Sequence, residues 1–405
     1  MKIFSKQEIK TLWPFYAQSL AENTSKVIMP FYILFFLSIG LNFFQIAIIG
    51  TVRSVVALLF EVPTGAIADI YGRKFSVIAG YLLMGITTIA VIFTRDYYFL
   101  LIIFGFNALF ETLVSGADSA WAVDLSDSKE RGLSDTYFLK KRTFRNVGMV
   151  IAPLAAGIIV SSYGMTSLWL VYGLGILLSA LFLFCAEKVE PISSDDKDDL
   201  EIIAYKNVFT HANKTWHFIR NHKILSLVFF AGFIFFFVEE ITTLAWTPYL
   251  QNSGLSLPTI GYLFSIIAGL GIITPLVVEK ILKYKSKFTL LITTTLIYAV
   301  SLILAAMMNK AIFIVILFVV VYNLEEIIEP IEEALTNKYI ESKTRATALS
   351  LKSVFVSLAS ILGGPLAGYL LGIVTLGGAL LISGLIFLII PIIYTVASKR
   401  SVETA

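Results

Sequence analysis

The chain has 405 residues, of which 57% are hydrophobic and 15% charged, and it carries a formal net charge of +3. With a mean hydropathy of +0.84 this composition lies outside the soluble range and describes an integral membrane protein. One cysteine, Cys185, excludes an internal disulfide and any multi-cysteine metal site.

A hydrocarbon core of about 30 Å takes about 20 apolar residues per helix, and breaks at charged or Gly-, Asn- and Pro-marked points predict twelve spans. The first six run Trp13–Ile39, Phe43–Ala68, Phe75–Thr94, Tyr97–Val123, Thr143–Ser162 and Thr166–Ala186. The second six run Ile224–Tyr249, Pro258–Ile281, Phe288–Met308, Ala311–Ala334, Ala346–Ile373 and Leu376–Ala397. The first run is too long for a cleavable signal peptide and lacks a small-residue cleavage site, so it is expected to stay as a helix. The expected organisation is an N-terminal six-helix bundle (1–186), a cytoplasmic linker (187–222) and a C-terminal six-helix bundle (223–405). In the linker, the acidic "SSDDKDD" reads as solvated. Ile202, Tyr205, Phe209, Trp216 and Ile219 recur at roughly helical spacing among bases, as in a membrane-surface helix.

Orientation follows from the bases. With loops assigned to alternate sides, one side collects 25 Lys and Arg and the other only Arg95 and Lys310, the remaining 4 of 31 lying inside or at the edges of spans. The positive-inside rule then puts both termini and the linker in the cytoplasm of a cell whose plasma or inner membrane holds the protein. The charge is a topology signal and not a nucleic-acid footprint.

The halves repeat. "GLNFFQI" at Gly40 and "GLSLPTI" at Gly254 are offset by 214 residues, as are "SKER" at Ser128 and "SKTR" at Ser342, while "PLA" recurs at Pro153 and Pro365 with an offset of 212. Three matches in order at nearly one offset indicate a duplicated six-helix unit.

Between the second and third spans lies "GAIADIYGRK", where two helices must reverse within a few residues and glycine permits the tight turn. Here the chain resembles the major facilitator superfamily, whose loop signature Gly-x-x-x-Asp-Arg-x-Gly-Arg-Lys is met by Gly65, Asp69, Gly72, Arg73 and Lys74, with Ile70 at the first arginine position. The resemblance covers the whole chain. It implies an all-α membrane protein of 12 transmembrane helices in two pseudo-symmetric six-helix bundles, and a role for Asp69 and Arg73 in charge contacts that close a cytoplasmic gate. The later "KILKYKSK" keeps the bases but not the glycines or the acid, so any gate is asymmetric. In the fifth span, Gly148, Pro153 and Gly157 resemble an antiporter packing pattern with alanine at two glycine positions, and Gly364 and Pro365 repeat it in the second half. That repetition leaves general helix packing open as the reading. Drug exporters of the family carry an arginine in the fourth span where this chain has Thr112.

Charges inside spans are costly, about 2.5–3.5 kcal/mol each on insertion scales, and need a reason. Nine acids (Glu22, Glu61, Glu111, Asp118, Glu239, Glu240, Glu325, Glu326 and Glu329) face four bases, Lys26, Arg53, Arg145 and Lys352. Glu22 with Lys26, and Arg53 with Glu61, share helix faces and can pair locally. Asp118, Glu332 and Glu333 lie near span ends, where headgroups or loop bases can meet them. Glu111 and Glu325 each lie 14 residues into a span, about 21 Å deep at 1.5 Å per residue, and are related by the offset of 214. The same offset relates Asp118 to Glu332 and Lys26 to Glu240. The resemblance puts the first, fourth, seventh and tenth helices around a central cavity, so these residues imply an acid-lined site.

A carboxylate surplus favours protons and cations. The expected function is a secondary active transporter working by alternating access, most simply proton-coupled efflux of a hydrophobic or cationic compound, with Phe106, Phe110, Trp246 and Tyr322 available as aromatic contacts. The alternative is proton-coupled uptake of a cationic or zwitterionic nutrient whose carboxylate Asn23 and Lys26 hold. A membrane-embedded enzyme has no support, since no catalytic motif is present and His211, His217 and His222 are spaced six and five apart. No cofactor or metal is expected. The expected partners are a small-molecule substrate, protons and the lipid bilayer, with no nucleic acid, and the protein is expected to be a monomer.

Overall fold

The computed structural model of the chain describes residues 4–129, 133–189, 220, 222–340 and 345–403, all of it helix, turn and connecting segment with no strand among the described residues. The acidic run, the amphipathic stretch at 202–219, His211 and His217 lie outside the described residues.

Helix α1 (Lys6–Ser25) starts on a capping box: Glu8 N donates to Ser5 Oγ at 3.0 Å, and Ser5 N donates to Glu8 Oε2 at 3.3 Å. It stops at Lys26, and a 3-10 turn (Met29–Phe31) leads into α2 (Tyr32–Ser38). The expected first span is therefore two helical pieces. Pro30 explains this, because it has no N–H to give to the carbonyl of Lys26, four residues earlier, and its ring would clash there.

Helix α3 (Phe43–Tyr71) is joined to α4 (Arg73–Ala90) through Gly72 alone, at φ +92°. That angle favours glycine, so the loop glycine serves the reversal expected of it. Helices α5 (Tyr97–Thr112) and α6 (Ala117–Lys129) are separated by a turn at Gly116, φ +73°, where the sequence predicts one span. Helices α7 (Leu133–Tyr163) and α8 (Thr166–Phe184) complete the first set. The second set comprises α9 (Lys223–Asn252), α10 (Leu257–Leu282), α11 (Lys287–Met307), α12 (Ala311–Tyr339), α13 (Arg345–Ile373), α14 (Leu376–Phe387) and α15 (Ile389–Glu403). Eleven helical segments among the described residues are long and apolar enough to cross a membrane, and the broken first span is the twelfth expected position.

The chain forms two compact units. Unit 1 comprises Met1–Gly40, Val52–Asp195 and Leu257–Ala268; unit 2 comprises Leu41–Thr51, Asp196–Ser256 and Gly269–Ala405. In unit 1, Phe15, Trp121 and Tyr137 are fully buried together, with Phe15 edge-on to Trp121 at 5.0 Å. In unit 2, Tyr298 stacks on Phe387 at 4.1 Å. Such aromatic contacts contribute about 0.5–1.5 kcal/mol each beyond their burial, which matters where lipid removes the hydrophobic drive for helix association.

Small residues set the closest approaches. A Cβ at Gly148 would lie 2.8 Å from Thr24 N and 2.8 Å from Asn23 Cβ, so α7 rests on the backbone of α1. At Gly157 it would meet Tyr262 at 2.9 Å, and the carbonyl of Pro153 lies 2.8 Å from the Cβ position of Gly261, all within unit 1. In unit 2, a Cβ at Gly364, one residue before Pro365 within α13, would lie 2.8 Å from Thr51 Oγ1.

Candidate functional site

Unit 1 turns most of its membrane charges into pairs. Glu22 Oε1 lies 2.8 Å from Lys26 Nζ, one turn along α1. Its other oxygen accepts from Gln18 Nε2 at 2.7 Å and from Tyr81 OH at 2.9 Å, so α4 contributes a donor across the interface. Lys26 also donates to Asn23 Oδ1 at 3.3 Å. Arg53 of α3 meets Glu111 of α5 at 2.7 Å, and Lys26 also senses the Glu111 charge. Glu22, Lys26, Glu111 and Arg53 thus form an alternating, neutral series. The local pair expected between Arg53 and Glu61 is not the one formed. Residues eight apart on a helix are about 12 Å apart along its axis, whereas Glu111 comes directly across from a neighbouring helix.

Asp118 pairs with Lys141 of α7 at 2.6 Å. Below it, Glu8 is 3% exposed and accepts both from Lys140 Nζ, at 2.7 Å, and from Tyr16 OH, at 2.8 Å. Burial works to raise the Glu8 carboxyl, but the hydrogen bonds from Lys140, Tyr16 and Ser5 outweigh it and hold the group below its ordinary value of 4.5.

The loop motif divides in two. Arg73 pairs with Asp124 of α6, and Lys74 Nζ donates to the carbonyls of Phe184 and Ala186, at 2.9 and 2.6 Å, tying α4 to the end of α8. Asp69 is exposed and has no ion pair among the described residues. Gly65 is exposed, with nothing within 4 Å of its Cβ position.

Unit 2 holds the opposite balance. Glu239 and Glu240 sit on α9, and Glu325, Glu326, Glu329 and Glu332 on α12. Glu325 accepts from Tyr298 OH at 2.8 Å, and Glu240 accepts from Ser360. Glu239, Glu325 and Glu329 are close enough to feel one another's charge. Among the described residues, no Lys or Arg forms an ion pair with Glu239, Glu240, Glu325, Glu326 or Glu329. Glu332 differs: it has a base, Lys352 Nζ at 3.6 Å, and it accepts from Tyr394 OH at 2.9 Å.

Tyr81, Tyr298 and Tyr394, which supply these donors, escaped the sequence reading; a tyrosine on an apolar face carries no signal of which acid it will meet. Of the aromatic candidates, Trp246 is 1% exposed and packs on Phe318 at 5.2 Å, which makes it core. Phe106 is half-exposed and stacks along Phe110. Among the described residues no three or more His, Cys, Asp or Glu side chains are placed so that they could hold a metal ion.

Comparison with known proteins adds the family. The model of the Major Facilitator Superfamily matches residues 15–330. The chain is 25% identical over 387 residues, 92% of each chain, to the uncharacterized MFS-type transporter YxaM of Bacillus subtilis (strain 168). It is 25% identical over 211 residues to the multi-drug resistance efflux pump PmrA of Streptococcus pneumoniae, spanning 50% of that protein. Among solved structures, the nucleoside transporter NupG superposes with a TM-score of 0.77 at 13% identity, over 98% of this chain and 100% of that one. A POT family transporter in complex with 5-aminolevulinic acid gives 0.74 at 15% identity, over 96% of each chain. At such identities the structures establish the fold alone. A family match of this extent, on a chain already built from repeated membrane helices, places this protein in the major facilitator superfamily as a multi-pass membrane transporter and not an enzyme.

Proposed function

We propose that the protein is a proton-coupled exporter of hydrophobic or cationic small molecules, working by alternating access as a monomer in the cell membrane with both termini cytoplasmic. The observation that carries this reading is the cluster on α9 and α12: Glu239, Glu325 and Glu329 sense one another and have no base among the described residues. Glu239 and Glu325 are half-buried and Glu329 is exposed; a carboxylate drawn partly out of water with no cation beside it favours a proton or a positive ligand. The two compete for one group, which is the physical basis of proton/cation exchange. Partial similarity to PmrA agrees in kind.

The uptake alternative assigns a substrate carboxylate to Lys26 and Asn23. Lys26 already holds Glu22 at 2.8 Å and Asn23 at 3.3 Å, which supports export over uptake.

The test uses proteoliposomes with an imposed pH gradient, screened with fluorescent lipophilic cations and radiolabelled cationic nutrients. Accumulation on the acidic side is the expected result. Accumulation on the alkaline side reverses the reading to symport, and no response to the gradient removes proton coupling.

A further inference from the structure

The loop between the second and third spans occurs once in each half, and the two copies use their bases differently. In the first, Arg73 is taken by Asp124, and Lys74 by the carbonyls of Phe184 and Ala186. In the second, Lys280, Lys283, Lys285 and Lys287 stand against a single acid, Glu279, between residues 279 and 287. Lys287 is engaged in the fold, its Nζ donating to the carbonyl of Ala334 on α12 at 3.3 Å. The other three lysines are exposed. Lys283 lies 4.0 Å from Glu279, with side-chain exposures of 65% and 74%, and a pair so long and so well solvated contributes little. Among the described residues, no acid pairs with Lys280 or Lys285.

The turn closes without these lysines. Helix α10 ends at Leu282 and α11 starts at Lys287. The amides of Tyr284 and Lys285 both donate to the carbonyl of Ile281, at 3.0 Å each, and Ser286 Oγ accepts from Thr289 N at 3.1 Å to cap α11. The exposed residues Ile273, Leu276, Val277, Lys280, Ile281 and Tyr284 recur at intervals of one, three and four, so one face of α10 runs on through the turn. That face is apolar within the span and ends on a lysine and a tyrosine, and Tyr284 is 86% exposed. Lysine stems lie along acyl chains while their heads reach the headgroups, and a tyrosine ring suits the same boundary.

We propose that the turn between α10 and α11 is a docking site for an anionic phospholipid, with Lys280, Lys283 and Lys285 holding the headgroup phosphate and Tyr284 seated at the membrane boundary. Charge selects the occupant. Each lysine near a bilayer surface attracts a net-negative lipid severalfold, whereas a zwitterionic lipid carries no net charge to attract. Ammonium groups on flexible stems act as point charges and follow a phosphate that moves in the plane of the membrane. A free phosphate ion offers the same headgroup chemistry, but the apolar face of α10 leading to the bases suits acyl chains and gives a free ion nothing. The inference is independent of the solute moved and of proton coupling.

The test is lipid retention by the purified full-length protein, read by native mass spectrometry after exchange into equal amounts of phosphatidylglycerol and phosphatidylcholine with the same acyl chains. Wild type is expected to keep phosphatidylglycerol about tenfold better. The triple variant Lys280→Gln, Lys283→Gln, Lys285→Gln should fall to within about twofold of parity. Its counterpart Lys280→Arg, Lys283→Arg, Lys285→Arg keeps the charge and should hold the wild-type preference. A wild type without preference, or an undiminished preference in the Gln variant, overturns the site. Equal loss in the Gln and Arg variants overturns recognition by charge. Displacement of the lipid by inorganic phosphate at matched concentration overturns the lipid as occupant and assigns the turn to a free anion. Should the triple Gln variant fail to accumulate as folded protein, Lys280→Gln with Lys285→Gln decides, and an undiminished preference there overturns the proposal.

Discussion

The two halves of the sequence are copies that solve the problem of membrane charge in opposite ways. Glu111 and Glu325 are related by the repeat, yet Glu111 meets Arg53 at 2.7 Å, while Glu325 meets a tyrosine, Tyr298, at 2.8 Å and no base among the described residues. At the repeat offset of 214, Arg53 corresponds to Ile267, so the second copy lacks the base at that position. One pair did survive. Asp118 meets Lys141, which lies 12 residues before Pro153, and its counterpart Glu332 meets Lys352, 13 residues before Pro365. Duplication thus preserved the pairing nearer the helix ends while the deeper one diverged. A neutral network holds helices together; an unbalanced one, on the proposed reading, exchanges ions.

The widest test of this contrast is to neutralise both copies of the deep acid. Glu325→Gln leaves no cation behind, so folding should be near wild type while gradient-driven transport falls by about a hundredfold or more and exchange at equal pH survives. Glu111→Gln strands Arg53 instead. With side-chain exposures of 54% for Glu111 and 32% for Arg53 the pair is partly screened, so the expected loss is about 1–2 kcal/mol of stability. Thermal unfolding in detergent and paired flux assays separate the two. Equal behaviour of the variants in both measurements would mean that the halves do not differ in kind.

How much of this could be read beforehand depends on whether the information is local. Span positions, the reversal at Gly72 and the depth of Glu325 follow from hydropathy, glycine and spacing, all carried by neighbouring residues. The break in the first span was also local, since Pro30 stands four residues after Lys26, but its apolar run conceals it. Partners are a different matter: Arg53 with Glu111, Tyr81 with Glu22 and Lys352 with Glu332 join residues 58, 59 and 20 positions apart. Which rotamer on which helix face closes such a contact is fixed only by tertiary packing. Sequence supplied the charges but not their neighbours, and in unit 1 the neighbours turn expected site residues into paired ones.

Helix packing around the paired network is next in expected size. Gly148→Val places atoms against Asn23 and Thr24, including backbone that cannot swing aside, and should cost about 2–3 kcal/mol. Gly65→Ala, with open space at its Cβ position, should stay within about 0.5 kcal/mol. Both glycines belong to family patterns, so melting temperatures that fail to separate them would contradict the close packing of α7 on α1.

The pairing at Glu8 has a pH signature. Because the folded protein holds this carboxyl below its ordinary value of 4.5, its stabilisation is complete above that value and fades as pH falls through the lowered one. Lys140→Met should therefore lower the stability of the wild type by about 2–3 kcal/mol near neutrality, with a gap that narrows on acidification. The measurement is unfolding temperature against pH for the two proteins. A gap independent of pH would assign the effect of Lys140 to packing, including its position 4.9 Å over the Phe4 ring.

The smallest expected effect on stability concerns the loop motif, and it asks which of its charges belong to the neutral network. Arg73 is engaged with Asp124, whereas Asp69 is exposed and has no ion pair among the described residues. A double-mutant cycle between Arg73→Gln and Asp124→Asn should therefore show coupling, and one between Arg73→Gln and Asp69→Asn should be additive within about 0.5 kcal/mol. Asp69→Asn alone should leave unfolding unchanged. Transport then decides its role. If Asp69 acts in a gate, as proposed from the motif, the variant loses flux at full stability, because the contact it makes belongs to a conformation other than this one. If flux is also unchanged, the acid is ordinary solvated charge, and the motif reduces to the turn at Gly72 together with the two bases that fasten α4 to α6 and α8.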